Sequence, residues 1–197
     1  MVILNKGMKH KQRHNFLLSH QDNFYFVGLL IAAIFLYTFN LGELPLRDWD
    51  EGIVAGVARN IWQGSVDNNT WLYPTINNGQ PYWNKPPLVH WLIAISYSFF
   101  GVSEWSTRIA PALLSAFSVP LLYKIGREMF FNRLTAILSA SVYLTLLPIA
   151  RHGRVAMLDG AIACWFCLAI WCLLRGRNHQ FWLLGTGIGL GLVCLTK

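Results

Sequence analysis

The sequence predicts an all-α fold: a polytopic helical membrane protein with about five spanning helices and with interfacial helices in its first external loop. Composition points there first, because 54% of the 197 residues are apolar and only 13% charged, against about 25% charged in soluble domains. Patterning agrees, since the apolar residues gather into long uncharged runs separated by short polar stretches and the mean hydropathy is +0.39. The placement of charge is the third observation. The net charge is +7, yet the basic residues sit in the tail and in loops flanking apolar runs, which is how topology is encoded and not how nucleic acid is bound. An aromatic content of 14% excludes a disordered chain. Cys164, Cys167 and Cys172 share one apolar run and Cys194 ends another, so all four read as free thiols in helix packing.

The runs fall roughly at 24–41, 88–100, 107–123, 134–149, 160–174 and 181–195. A spanning helix needs about 20 apolar residues, and the run 88–100 is the shortest and starts directly after Pro86 and Pro87, so it reads as interfacial. The tail 1–23 carries Lys6, Lys9, Lys11 and Arg13 and by the positive-inside rule stays cytoplasmic. With 88–100 on the outer interface, the loops holding Lys124, Arg127 and Arg133, and then Arg175 and Arg177, return to the cytoplasm. The module 24–197 then has external loops at 42–107 and 150–159. The first run has no A-x-A site behind it and reads as a signal anchor. Lys197 follows directly on an apolar helix, so the chain is expected to be the N-terminal part of something longer.

Three polar motifs fall outside the membrane in this topology. Asp48-Trp49-Asp50-Glu51 opens a segment with Ile53, Val54, Val57, Ile61 and Trp62 near helical spacing, an amphipathic helix for the membrane surface. Asp50 and Glu51 are either caps on that helix or a general base at the lipid boundary. The stretch Asn78-Gly79-Gln80-Pro81-Tyr82-Trp83-Asn84-Lys85-Pro86-Pro87 turns and then runs extended into the short helix. Lys85 beside that helix N-terminus suits a phosphate, or else snorkels to lipid headgroups. Asp159, opening the next apolar run, has Arg151, His152 and Arg154 close before it. The acid is either a cap or, with the arginines, part of a site for an anionic headgroup.

These motifs, in this order, resemble the bacterial members of the dolichyl-phosphate-mannose protein mannosyltransferase family, in particular the aminoarabinose lipid A transferases of the GT-C fold. The resemblance rests on DEGIVAGVAR, NGQPYWNKPPL, FGVSEWSTRIAPALLSA, the aspartate of ARHGRVAMLD and the terminal GLGLVCLTK. It implies a GT-C-like N-terminal module that moves a sugar from a polyprenyl-phosphate donor to a lipid, glycan or protein acceptor at the outer face of the plasma membrane. By position Asp50 is the implied catalytic carboxylate, with Glu51 beside it and Asp159 as the second acid. Lys85, Arg151, Arg154, His152 and Tyr82 are the implied substrate-binding residues. The resemblance names no certain cofactor and leaves a divalent metal open, although Asn84 stands where many relatives carry an acid. Membrane lipids are the remaining implied partner. A non-catalytic module that binds lipid phosphates, and a transporter of polyprenyl-linked sugars, are the alternatives.

Other signals are structural. Gly185 with Gly189, and Gly187 with Gly191, form overlapping G-x-x-x-G patterns suited to close helix packing and not to a nucleotide loop. Cys164 and Cys167 lack the second pair that zinc would need. Asn68-Asn69-Thr70 is formally a glycosylation acceptor site.

Overall fold

A computed structural model describes residues 20–64, 70–76 and 79–197. Most of the basic tail, Asn78 of the expected turn and Asn68-Asn69 lie outside the described residues. The described chain is helical apart from one short hairpin: α1 His20–Thr38, α2 Asp50–Gln63, β1 Thr75–Ile76, β2 Gln80–Pro81, α3 Leu88–Phe100, α4 Glu104–Phe130, α5 Arg133–Thr145, α6 Leu147–His152, α7 Asp159–Gly176 and α8 Trp182–Thr196.

Among the described residues three helices are long and apolar enough to cross a membrane: α1, α4 and α7. The other two expected spans are shorter. The run 134–149 breaks at Leu146, whose backbone is extended, because Pro148 has no N–H for the Leu144 carbonyl and its ring would strike that carbonyl in a continuous helix. The freed Leu144 oxygen instead lies 3.5 Å from the buried Tyr37 hydroxyl of α1. The fifth, α8, has 15 residues.

The hub is α4, 27 residues long and started by a capping box in which Ser103 and Ser106 satisfy each other's backbone N–H groups. One face packs small residues, Ala112, Ala116 and Val119, against Ala33 and Tyr37 of α1 and Ala136 and Ala140 of α5. Beside it, Val54 and Ala58 of α2 meet Val89, Ile93 and Tyr97 of α3 and Leu158 and Ala161 at the start of α7. The amphipathic α2 therefore buries its apolar side on α3 and α7. The short α3 stays at one end of the bundle: it begins after Lys85 and ends at the turn into α4, where the Tyr97 hydroxyl lies 2.7 Å from Thr107 Oγ1.

Charges sort to the two ends of this bundle. At one end Asp22 of α1, 1% exposed, lies within 3.1 Å of Arg127 Nε and 3.0 Å of Arg133 Nε, and accepts from the Tyr123 hydroxyl at 2.7 Å. Arg175 and Glu128 pair at that end too. At the other end sits the network around α2.

Candidate functional site

The α2 helix begins at Asp50 with no side-chain cap, Trp49 being the residue before it, so neither acid serves as the N-cap. The two take different positions. Glu51 is 0% exposed and Arg108 of α4 is 4% exposed. Arg108 donates from Nε to Oε1 and from Nη2 to Oε2, both at 2.8 Å. The backbone N–H of Ala156 adds a bond to Oε1 at 2.7 Å, and that of Arg47 a bond to Oε2 at 3.2 Å. Burial pushes the Glu51 pKa up, but the Arg108 guanidinium and the two N–H groups outweigh it and hold the carboxyl below its ordinary value. The rest of the guanidinium donates to the carbonyls of Leu41, Leu44 and Pro45. One buried ion pair thus ties together α2, α4, the loop after α1 and the strand of chain before α7.

Asp50, one residue earlier, is exposed and has no hydrogen-bond or ion-pair partner among the described residues. It lines a cavity of about 170 Å³ together with Tyr82, Asn84, Lys85 and Asp159. Residues from all three expected motifs therefore meet in one place. The hairpin delivers the middle group: Thr75 pairs with Pro81 and Ile76 with Gln80, Gly79 takes the positive φ of 83° that the turn requires, and the Tyr82 N–H donates to the Pro74 carbonyl at 2.8 Å. Asn60 of α2 fixes the hairpin through the Thr75 carbonyl at 2.9 Å. Tyr82 is buried, which pushes its phenol pKa up and keeps the hydroxyl a hydrogen-bond donor. Its ring stands edge-on to that of His90, 5.5 Å between centroids. Asp159 starts α7 without a cap bond and accepts from Lys197 Nζ at 2.9 Å.

The remaining expected ligands lie elsewhere. Arg151 and Arg154 line a separate cavity of about 670 Å³ whose wall includes Glu51 and Arg108. Arg154 donates to the Phe39 carbonyl. His152 has Nδ1 2.7 Å from the Pro148 carbonyl and borders a third hollow, mostly apolar, which Asp159 also lines. Among the described residues no three His, Cys, Asp or Glu side chains cluster. The Asp50 cavity offers two carboxylates and the amide of Asn84, with the Lys85 ammonium beside them.

Two participants escape a reading of the sequence. Arg108 lies inside an apolar run, and a charge at such a position is itself a signal. Lys197 stands in the sequence only as the end of an apolar helix, and nothing there marks it as a partner for Asp159.

The fold and this pocket together define a GT-C-like helical membrane protein, with charged groups gathered by short helices at one end of a bundle. The particular family follows from comparison. The family model for dolichyl-phosphate-mannose-protein mannosyltransferase matches residues 25–197, and the chain belongs to that family. An undecaprenyl phosphate-alpha-4-amino-4-deoxy-L-arabinose arabinosyl transferase of Shewanella sediminis is 37% identical over 139 residues, covering 69% of this chain and 24% of the relative. A second transferase of that description, from Pseudomonas fluorescens, is 34% identical over 86% of this chain and 29% of its own length. Crystal structures of ArnT from Cupriavidus metallidurans, apo and bound to undecaprenyl phosphate, superpose with TM-scores of 0.75 and 0.73 at 22% identity, covering 87% of this chain and 32% and 31% of those chains. The chain thus spans about a quarter to a third of the length of these relatives.

Proposed function

We propose that this chain carries the carboxylate and donor-phosphate part of a glycosyltransferase site, which transfers a sugar from a polyprenyl-phosphate donor to a lipid, glycan or protein acceptor at the outer face of the plasma membrane. One observation carries the reading: Asp50 and Lys85, both without partners among the described residues, share a pocket with Tyr82 and Asp159. A free carboxylate can take the acceptor's proton, and an ammonium nearby can stabilise the charge that develops on the departing phosphate. The Tyr82 hydroxyl donates to the same oxygens. Asp159, steered by Lys197, is the second acid. Glu51, with both oxygens taken, is a positioning residue that holds Asp50 at the pocket mouth. The relatives named for undecaprenyl-linked arabinose support the donor class.

The test is sugar transfer in vitro from a polyprenyl-phosphate-linked sugar. Asp50→Asn should abolish turnover and keep donor binding, whereas Lys85→Ala should weaken donor binding; normal turnover by the first variant removes Asp50 as base. A second reading, donor binding without transfer, is favoured by the pocket's size. At about 170 Å³ it is below the roughly 300–1,000 Å³ of ligand sites and has room for a phosphate with little else. That reading predicts donor association that depends on Lys85, with no product from the unaltered chain.

A further inference from the structure

The second cavity has no part in this chemistry. Its only carboxylate among the described residues is Glu51, which Arg108 already holds, so nothing there can move a proton. It is nevertheless built for a ligand. At about 670 Å³ it is in the range of ligand sites. Its walls are mostly apolar, supplied by Leu36 near the end of the spanning helix α1, by Leu41 and Leu44 of the loop that follows, and by Leu147 of α6. Arg47, Arg151 and Arg154 border it. Arg47 and Arg151 are exposed, and their guanidinium groups have no carboxylate partner among the described residues. Guanidinium stays charged at any working pH and bonds phosphate in a bidentate fork. The geometry is also fixed in advance, because Arg108 binds the carbonyls of Leu41, Leu44 and Pro45 and so holds the loop that carries Arg47.

We propose that this cavity holds an anionic phospholipid of the surrounding bilayer as a resident, non-reacting ligand, its phosphate between Arg47, Arg151 and Arg154 and its acyl chain against Leu36 and Leu147. The occupant follows from complementarity: three cations with no free acid among the described residues that line the cavity, above an apolar wall continuous with a spanning helix, match a charged headgroup on a hydrocarbon chain. The site stands independently of whether the Asp50 pocket transfers sugar.

The experiment uses the chain purified in detergent, with phosphatidylglycerol or phosphatidylcholine added, reading retained lipid by native mass spectrometry and the thermal midpoint in parallel. Phosphatidylglycerol is retained at one molecule per chain and raises the midpoint, and phosphatidylcholine does neither. Arg47→Gln with Arg151→Gln lowers retention by at least about tenfold, the weight of a single charge-assisted hydrogen bond, while Lys85→Gln leaves it unchanged. If the double variant does not fold, Arg151→Gln alone carries the test, since its exposed side chain makes no hydrogen bond or ion pair among the described residues. Equal retention of the two lipids overturns the proposal, as does full retention by the arginine variants. Displacement of phosphatidylglycerol by polyprenyl phosphate, one for one, also overturns it and gives the cavity to the donor.

Discussion

His90 shows how much a single side chain can report about this site. It is 0% exposed beneath Tyr82, and neither ring nitrogen completes a hydrogen bond. Burial pushes its pKa down to about 4, with Lys85 adding to the effect and the Pro86 carbonyl opposing it. The unfolded chain, with an ordinary value of 6.5, binds more protons than the folded one between those limits. Stability is therefore complete above pH 6.5 and falls as the pH drops toward 4. Thermal midpoints measured across this range should decline for the unaltered protein and stay flat for His90→Phe; a parallel decline in both would remove His90 as the cause. Glu51 acts lower and overlaps only the bottom of that window: its carboxyl is held beneath its ordinary 4.5, so its contribution is complete above 4.5 and is lost as the pH falls from there through the lowered value. At neutral pH Glu51→Gln leaves the Arg108 charge buried without its counter-ion. A destabilisation of about 3–5 kcal/mol follows, readable as a fall in thermal midpoint, and Asp50→Asn, which breaks no contact, should leave the midpoint in place.

At the scale of elements, α7 and α8 show which part of a repeated pattern packs. A Cβ on Gly189 would lie 2.9 Å from the Ala169 Cβ and 3.0 Å from its backbone nitrogen, and one on Gly185 would lie 2.8 Å from Cys172 Sγ, whereas Gly187 and Gly191 face open space. Gly189→Val should therefore cost about 1–3 kcal/mol by overpacking, while Gly187→Val should be nearly silent in the same thermal unfolding experiment. The G-x-x-x-G pattern is legible in the sequence, but both overlapping copies fit it equally, and only the facing helix separates them. The same limit explains the hairpin. Asn78-Gly79 announces a turn, yet two-residue strands carry no periodicity to read, so β1 and β2 emerge only from the pairing that Asn60 and Pro74 anchor. The break at Leu146 is written in Pro148, which an apolar run conceals. The site is legible through its motifs: Asp50, Tyr82, Lys85 and Asp159 do share a cavity. What sequence order conceals is the division of Asp50 from Glu51, adjacent in the chain yet lining different cavities, and the removal of Arg151 and Arg154 to the second. Neighbours on a helix point about 100° apart, and a loop of irregular backbone has no register from which to infer direction.

For the whole molecule, the distribution of charge over the two ends of the bundle makes the proposed orientation testable. Asp22, Arg127, Arg133 and the Arg175–Glu128 pair occupy one end, and the Glu51–Arg108 pair and the Asp50 pocket occupy the other. The basic tail precedes α1, so the positive-inside rule sends the first end to the cytoplasm and the pocket outward. The short α3 is what keeps this consistent. If it crossed the membrane, α4 would run the other way and Arg127 and Arg133 would be exported together with Arg175. Instead α3 returns to the end where it began, joined to the pocket through Lys85 and to α4 through Tyr97 and Thr107. In a variant with its four native cysteines replaced, a cysteine at Trp83, exposed on the hairpin side, should react with an impermeant thiol reagent applied outside intact cells. One at Gln180, exposed between α7 and α8, should react only after permeabilisation. Labelling of Gln180→Cys from outside together with protection of Trp83→Cys would invert the module. With α4, α5 and α7 each crossing, the two positions are separated by three crossings, and labelling of both from outside would mean either that α3 spans as well or that α5 does not.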